Sequence, residues 1–368
     1  MYVHSIIWRS TQVAVSGEVC FDFQSPSQTD GLPVARGNRV TYIPHGVAIG
    51  VDLGGTNLKL ALLDEQDSII ERISLPTSGG DGHDAVISRM IEGIATLRQV
   101  PVGGRATCIG VGVPGMVDMA TGITGDLPNL PGRWTGVPVG PFLAEASGLP
   151  VALLNDGKAF AVAEHQRGAA AGAETALLAA VGTGIAGAVI AHNQVVFGVG
   201  GAAGEIGHLI VQPDGPRCTC GNRGCVETLC SGPAIVAEAV RRIVQGFSTA
   251  LVDACRGDLR AITPEMVALV AEEGDPVAAE VIDTAGYWLG IALAGAIALI
   301  APEVVVIGGG VAPASSRYYR AAEDTARSHS GVTEIDRIRF RPAMLGYDAG
   351  VIGAALWGRL QATARVTA

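Results

Sequence analysis

The clearest chemical pattern in the chain is a cluster of three cysteines and one histidine. Cys218, Cys220 and Cys225 fall within eight positions, and His208 lies ten residues before the first of them. Three thiolates and one imidazole are a donor set that binds Zn²⁺ tetrahedrally, and two cysteines this close do not easily form a mutual disulfide. The alternative to a metal site is that these cysteines are simply buried apolar residues. Such a cluster is not expected by chance in a chain with few cysteines. The spacing predicts a closed, structural zinc site, which Cys230 fits less well.

Two glycine-rich turns have the composition of phosphate-binding loops. They lie at residues 52–57 and 182–184, and backbone N–H groups in such turns can cradle phosphate oxygens. An aspartate that ends the preceding strand can hold Mg²⁺ through water. Either turn alone is typical of an ordinary hairpin, but two turns facing each other across a cleft could grip one polyphosphate. The candidate residues are Asp52, Gly54, Gly55, Thr56 and Asn57 in the first turn, and Gly182, Thr183 and Gly184 in the second.

A third run of glycines, at residues 308–310, follows an apolar segment. The absence of side chains at Gly309 and Gly310 would admit a flat base. The same run is equally typical of a turn that enters a helix.

Asn155 and Asp156 stand where an apolar strand pattern ends and a helix pattern begins. Both residue types are favoured as helix N-caps. A carboxylate at the carboxyl end of a strand is also where ligands gather in α/β sheets. The sequence leaves an N-cap and a general base as equal interpretations.

Short strands and a few helices must position these groups. Each half of the chain opens with a strand, a turn containing glycine and threonine, and a return strand, which indicates a weak internal duplication. Further strands are predicted at residues 106–111, 151–154 and 303–307, with helices in 158–167, after Asp275-Pro276 and in 351–360. The opening strands are predicted at residues 47–52, 58–63 and 69–74, and again at 175–181, 185–191 and 195–197.

Composition excludes several classes of protein. The 368 residues carry 35 acidic and 25 basic side chains, so a broad nucleic-acid-binding face is not expected. The apolar run at residues 287–301 is shorter than a membrane span and predicts a buried helix, and the N-terminus lacks the pattern of a secretory signal. An odd number of cysteines, seven, favours a reducing, cytoplasmic compartment. Residues 1–46 form an extension without a helical pattern, with one optional strand at 11–15.

Together these motifs resemble the ROK family of repressors, open reading frames and sugar kinases, within the actin–hexokinase–Hsp70 superfamily. The resemblance covers residues 47–368 and is most specific at 205–227, which is similar to the family's E-x-G-H and C-x-C-G-x-x-G-C-x-E signatures. Residues 52–56 match its D-x-G-G-T turn, and Lys59 stands where a basic residue is common. Residues 182–184 resemble its second phosphate turn, and 308–310 its adenosine turn.

The resemblance implies an α/β fold of two duplicated ribonuclease-H-like (actin-like ATPase) domains around a central cleft, with a zinc-binding loop. The implied domains are residues 47–174 and 175–368, with the final helix packed back on the first. It also implies ATP, Mg²⁺, structural Zn²⁺ and a homodimer. Asp156 would take a proton from a sugar hydroxyl, and His208 would bind zinc through one ring nitrogen and face the sugar with the other. The implied hydroxyl-binding residues are Asn129, Asn155, Glu205, His208 and Glu227.

Two positions depart from the family pattern. The family usually continues Asn-Asp-x-Asn-Ala-Ala, whereas this chain has Lys158 and Phe160, and Arg133 is inserted before Trp134. Facing the cleft, Lys158 would lower the pKa of the aspartate or contact an anionic group; facing solvent, it would have no effect. The predicted reaction is ATP-dependent phosphorylation of a primary hydroxyl, with glucose as the default acceptor. N-acyl amino sugars, mannose or fructose, and C7-cyclitols are the alternative acceptors.

Two other functional classes follow from the same resemblance. A sugar-responsive repressor needs an N-terminal helix-turn-helix, and residues 1–46 are too short for it and carry no net positive charge. A catalytically silent sugar-binding protein would bind sugar without consuming ATP.

Overall fold

The structure is a computed structural model that describes residues 46–311 and 315–366. The predicted strand at residues 11–15, and all but the last residue of the predicted extension, lie outside the described part of the chain.

The first five-stranded sheet is built from apolar strands in the first half of the chain. Its order is β3-β2-β1-β4-β7; β1 pairs antiparallel with β2 and parallel with β4, and β4 pairs parallel with β7. The parallel strands are buried except at Asp52 and Asn155, as expected for a sheet covered on both faces. The strands are β1 (Ala48–Leu53), β2 (Asn57–Leu63), β3 (Ile69–Pro76), β4 (Cys108–Val113) and β7 (Val151–Asn155), while β5 (Val117–Asp118) and β6 (Ile123–Thr124) form a separate hairpin.

The second five-stranded sheet repeats this order and these pairing directions with strands from the second half. Its order is β10-β9-β8-β11-β12, with β8 antiparallel to β9 and parallel to β11. The strand predicted at residues 195–197 is instead Gln194–Val195, where the antiparallel pairing ends early. The strands are β8 (Ala176–Val181), β9 (Ile185–Ala191), β10 (Gln194–Val195), β11 (Val304–Gly308) and β12 (Arg339–Pro342).

Helices connect and cover the two sheets, so the chain has a mixed α/β fold. The helix predicted at residues 158–167 begins two residues earlier, at Asp156, because Asn155 caps it. The helices are α1 (His83–Gln99), α2 (Val139–Ser147), α3 (Asp156–Arg167), α4 (Glu227–Cys230), α5 (Gly232–Val244), α6 (Leu251–Ala254), α7 (Pro264–Glu272), α8 (Pro276–Ile300), α9 (Ser316–Ser328) and α10 (Ala349–Val366).

The long apolar helix α8 starts where the sequence predicts. Asp275 is its N-cap and accepts the backbone N–H of Ala278 at 2.8 Å, with Pro276 in the first turn. Among the described residues it is the one helix that is long and apolar enough to cross a membrane, judged by length and composition alone. Within its most apolar window, 61% is buried inside the protein, as in a core helix.

The last helix, α10, lies directly on the first sheet and on α3. Glycines permit this approach: a Cβ on Gly50 would lie 2.0 Å from the carbonyl oxygen of Val351, and one on Gly110 would lie 1.7 Å from that of Ala354. Buried side chains of α3 and α10 then form a middle core cluster with alanines of both sheets, including Ala48 and Ala176. The two sheets therefore share one packed layer.

Candidate functional site

Two acidic side chains meet at the carboxyl edge of the first sheet. Asp52 lies in β1 and pairs across the sheet with Gly112 of β4, and Gly112 pairs with Leu154 of β7, two residues before Asp156. The strand between the two acids contributes only a glycine at this level.

The environment of Asp156 favours its protonated form. Burial is the largest cause, and the nearby charges of Asp52 and Glu205 add to it, while a backbone hydrogen bond from Gly157 and the Lys158 ammonium oppose it. Together they raise the pKa of Asp156 to about 7. A carboxyl group with this pKa exchanges a proton near neutral pH, as a general base requires.

Asn155 is the N-cap of α3, as one of the two interpretations predicted. Its Oδ1 accepts the backbone N–H groups of Gly157 at 2.9 Å and Lys158 at 3.3 Å, and its Nδ2 donates to the carbonyl of Gly115 at 3.1 Å. The cap fixes the first turn of the helix and leaves Asp156 at the edge of the sheet.

The first glycine turn is held by a threonine that the sequence did not single out. The Gly54 N–H donates to the carbonyl of Asn57 at 3.0 Å, and the fully buried Thr77 hydroxyl donates to the carbonyl of Gly54 at 2.7 Å. The Thr77 N–H also donates to the carbonyl of Thr56 at 2.8 Å. Thr77 follows β3 without a motif, so only the fold reveals this role.

The loop that contains Asn129 lies against the same turn. A Cβ on Gly55 would lie 2.8 Å from the carbonyl oxygen of Asn129, and Asn129 itself is exposed. The loop is anchored by buried Trp134, whose Nε1 donates to the carbonyl of Pro131 at 3.2 Å, while the inserted Arg133 is exposed.

Lys59 pairs with the first aspartate rather than standing alone. Its Nζ lies 3.6 Å from Oδ2 of Asp52, donates to the carbonyl of Tyr347 at 3.1 Å and lies 3.3 Å from the centre of the Tyr347 ring. Burial raises the pKa of Asp52, and Lys59 lowers it. Tyr347 is another neighbour that could not be predicted from the sequence, because 288 residues separate it from Lys59.

The second glycine turn and the glycine triplet lie side by side. The Gly182 N–H donates to the carbonyl of Gly184 at 2.9 Å, and Gly232 at the start of α5 donates to the carbonyl of Gly182 at 2.8 Å. Gly309 has a φ of +90°, and a Cβ there would lie 2.2 Å from the carbonyl oxygen of Val181. Thr183, Gly309 and Gly310 are exposed, so a ligand can reach this surface.

Glu227 joins the cysteine loop to the second turn. Its Oε2 accepts the backbone N–H of Ile185, the residue directly after that turn, at 2.8 Å. One carboxylate oxygen is therefore occupied by the backbone.

The four predicted metal ligands come together, with all of their donor atoms within 4.8 Å of one another. The Sγ of Cys218 lies 3.6 Å from Nδ1 of His208, and the Sγ atoms of Cys220 and Cys225 lie 3.6 Å apart. Tetrahedral zinc with Zn–S bonds near 2.3 Å places its donor atoms about 3.6–3.8 Å apart, so the spacing fits. Burial and the neighbouring thiols raise the pKa of Cys225 to about 12, which disfavours the thiolate form. A bound cation would offset this effect by stabilising the thiolate. Cys230 is buried outside this group, and its Sγ donates to the carbonyl of Val226 at 3.3 Å.

Lys158 neither faces solvent nor lies open in the cleft. It is 1% exposed, its Nζ donates to the carbonyl of Gly187 at 2.9 Å, and it lies 3.5 Å from Oε1 of Glu205. Burial lowers the pKa of Lys158, and the charges of Glu205 and Asp156 raise it. Because Glu205 precedes His208 by three residues, this contact connects the helix of Asp156 to the segment of the cysteine loop.

Known proteins resemble this chain over most of its length. The family model described as "ROK family" matches residues 48–360. A glucokinase from Halalkalibacterium halodurans is 33% identical over 309 residues, which cover 83% of this chain and 92% of that protein.

Two solved structures share the fold. The first is a ROK family glucokinase from Streptomyces griseus in complex with glucose and AMPPNP, at 29% identity and a TM-score of 0.77, with 85% of this chain and 99% of that chain covered. The second is a ROK family transcriptional regulator, a homolog of the E. coli MLC protein, at 30% identity and a TM-score of 0.75, with 86% of this chain and 78% of that chain covered.

Proposed function

The chain belongs to the ROK family, and we propose that it is an ATP-dependent kinase that phosphorylates a primary hydroxyl of a hexose or hexose-like polyol. Glucose is the acceptor that we expect first, since the glucokinase of H. halodurans and the glucose complex of the S. griseus enzyme are both similar to this chain. The supporting observation is the Asp156 carboxyl group, whose pKa is raised to about 7 beside two further carboxylates.

In this proposal Asp156 accepts the proton of the attacking hydroxyl. Asn155 fixes the helix start that carries Asp156, and Asn129, Glu205, His208 and Glu227 bind the other hydroxyls. The attacking oxygen then displaces ADP from the γ-phosphate in line, and the rate comes mainly from positioning and electrostatic stabilisation.

The two glycine turns would hold ATP from opposite sides. Residues Gly54 to Asn57 and Gly182 to Gly184 would donate backbone N–H groups to the phosphates, and Gly309 and Gly310 would leave room for the adenosine. Asp52, paired with Lys59 at 3.6 Å, would hold hydrated Mg²⁺, which offsets phosphate charge. The repeated strand order of the two sheets supports two duplicated actin-like domains, residues 47–174 and 175–368, whose closure would exclude water.

His208, Cys218, Cys220 and Cys225 would hold a structural Zn²⁺, because their donor atoms all lie within 4.8 Å of one another and two of the distances, 3.6 Å each, match tetrahedral coordination. The ion would supply rigidity to the loop rather than a reactive water. With Nδ1 directed at the metal, the Nε2 of His208 would be available to a sugar hydroxyl. The described cysteines are free thiols, which fits the cytoplasm, and the family implies a homodimer that light scattering would test.

The experiment is a purified-enzyme screen with ATP and polyphosphate as donors. Acceptors are glucose, mannose, fructose, N-acetylmannosamine and a C7-cyclitol. Asp156→Asn should lower kcat about 100- to 10,000-fold, the contribution expected of a general base, while sugar binding measured by calorimetry persists. Asp258→Asn, an exposed acid paired with Arg260, is the control and should retain activity. Undiminished turnover of Asp156→Asn would exclude its role as the base.

The similarity to a transcriptional regulator supports a second candidate, a sugar-responsive repressor. An electrophoretic shift assay on genomic DNA fragments distinguishes the two functions. Operator binding by a chain that phosphorylates none of the acceptors would favour the repressor.

A further inference from the structure

Lys158 is an unusual feature of the pocket, because it is one of only two lysines in the chain and is 1% exposed. Removing an ammonium group from water costs free energy unless hydrogen bonds and an opposite charge compensate. Here the carbonyl of Gly187 at 2.9 Å supplies the hydrogen bond, and the Glu205 carboxylate at 3.5 Å supplies the charge.

The backbone around Glu205 is seated on the same strand that Lys158 contacts. A Cβ on Gly187 of β9 would lie 2.4 Å from the carbonyl oxygen of Gly204 and 2.5 Å from the side chain of Ile206. The segment that contains Glu205 therefore rests on Gly187, whose carbonyl binds the Lys158 ammonium. One buried cation contacts both the strand and the carboxylate above it.

The Glu205 side chain remains 38% exposed while its Oε1 faces Lys158. The exposed part of the carboxylate can accept hydrogen bonds from a ligand, and the contact with Lys158 limits how it can turn. Among the described residues, Lys59 pairs instead with Asp52, so the two lysines serve different carboxylates.

We propose that Lys158 is a positioning residue that orients Glu205 toward the hydroxyl groups of a neutral polyol acceptor. The inference rests on the proposed kinase function. Because the ammonium is buried and already paired, it offers no contact to an anionic acceptor, and the carboxylates of the pocket repel one. The acceptor class is therefore an uncharged polyol, and sugar acids such as gluconate are excluded.

The test compares the wild-type enzyme with Lys158→Met. This substitution retains a long, unbranched side chain but removes the charge and the hydrogen-bond donor. The KM for the acceptor should rise about tenfold, in the range of coupling within an ion-paired network, while the KM for ATP changes less than twofold. Arg167→Gln is the matched control, since Arg167 lies on the same helix but pairs with Asp67. Its acceptor KM should be unchanged.

A double-mutant cycle separates positioning from a general structural role. If Lys158 acts through Glu205, Lys158→Met should change the acceptor KM less than twofold when Glu205 is already replaced by Gln. An equal rise in the acceptor KM in the wild-type and Glu205→Gln backgrounds would overturn the inference. An unchanged acceptor KM in Lys158→Met would also overturn it, provided that the wild-type enzyme is active.

Two measurements keep the test decisive. If Lys158→Met does not fold, the wild-type enzyme alone is assayed with gluconate against glucose. Efficient phosphorylation of gluconate overturns the inference, and its rejection supports it. A wild-type enzyme that phosphorylates no acceptor refutes the kinase function itself. This outcome differs from that of an active enzyme whose acceptor KM is unchanged in Lys158→Met, which refutes only the role of Lys158.

Discussion

A carboxyl group that is partly buried beside other carboxylates keeps its proton to a higher pH than one in water. For Asp156 the cause is chiefly burial, with Asp52 and Glu205 adding repulsion, and the pKa rises from 3.8 to about 7. The same three carboxylates would be needed for hydroxyl binding, Mg²⁺ and proton removal in the proposed mechanism. The proximity of the three carboxylates therefore helps to bring the pKa of Asp156, the proposed base, close to neutral pH.

This pKa predicts the pH dependence of the reaction. Only the deprotonated form of Asp156 can accept a proton, so kcat/KM for the acceptor should fall about tenfold per unit as pH decreases below about 7. The measurement is kcat/KM from pH 5.5 to 9, because this ratio reports the pKa of the free enzyme. Asp258→Asn should give the same profile as the wild type. A kcat/KM that stays constant from pH 7 down to pH 5.5 would contradict the environment assigned to Asp156.

Among single residues, the sequence predicted those whose side-chain type alone indicates a role. The four predicted metal ligands come together as expected, and Asn155 caps the helix. The contacts of Lys158 and Thr77 could not be predicted, because their partners arise from tertiary packing. Gly187, for example, lies 29 residues beyond Lys158, and no local pattern connects them.

At the scale of elements, the apolar runs and turn residues predicted most strands of both sheets. The end of β10 and the start of α3 differ from the predictions, since pairing and capping depend on tertiary contacts. The order of strands in each sheet joins β1 to β4 and β8 to β11 over long sequence separations. Local periodicity contains no information about such pairings, whereas the similarity to a known family does.

The position of the cysteine loop predicts the effect of metal removal. Cys225 forms an antiparallel backbone β-bridge with Ile210, two residues after His208, so loss of a bound ion would loosen the segment that contains Glu205 and His208. Chelation followed by excess Mg²⁺ should raise the acceptor KM about tenfold or more, with little change in the KM for ATP, and should lower the melting temperature. Kinetics, calorimetry and metal analysis measure these effects.

Cysteine variants provide the control for this prediction. Cys218→Ser should reproduce the effect of chelation, whereas Cys255→Ser changes a buried thiol outside the donor group and should retain both the metal and the acceptor KM. A metal-free preparation with full activity and an unchanged melting temperature would rule out a structural ion.

Three core clusters stabilise the part of the chain that the structure describes, and one of them connects the two sheets. One cluster packs around the first sheet with α1 and α2, another around the second with α8, and the middle cluster draws on both sheets together with α3 and α10. A protein of 37.5 kDa often unfolds in several steps. The shared middle layer favours a single step, because neither sheet can lose its partner without exposing that layer.

Tryptophans placed in different clusters can test this cooperativity. Trp134 is buried with the first sheet, and Trp288 packs against the cluster of the second. Variants that retain only one of these tryptophans should report the same urea midpoint by fluorescence. In addition, Gly353→Ala should lower the unfolding free energy by about 1–3 kcal/mol, since a Cβ on Gly353 would lie 1.8 Å from the carbonyl oxygen of Ala159. Both urea midpoints should therefore fall together.

Gly295 of α8 is the matched control, because a Cβ there would meet nothing within 4 Å. Gly295→Ala should leave the midpoints unchanged or raise them, since alanine stabilises a helix by up to about 1 kcal/mol relative to glycine. Separate midpoints for Trp134 and Trp288 would show that the sheets unfold independently. A shift confined to one tryptophan in Gly353→Ala would show that the contact between α3 and α10 does not couple them.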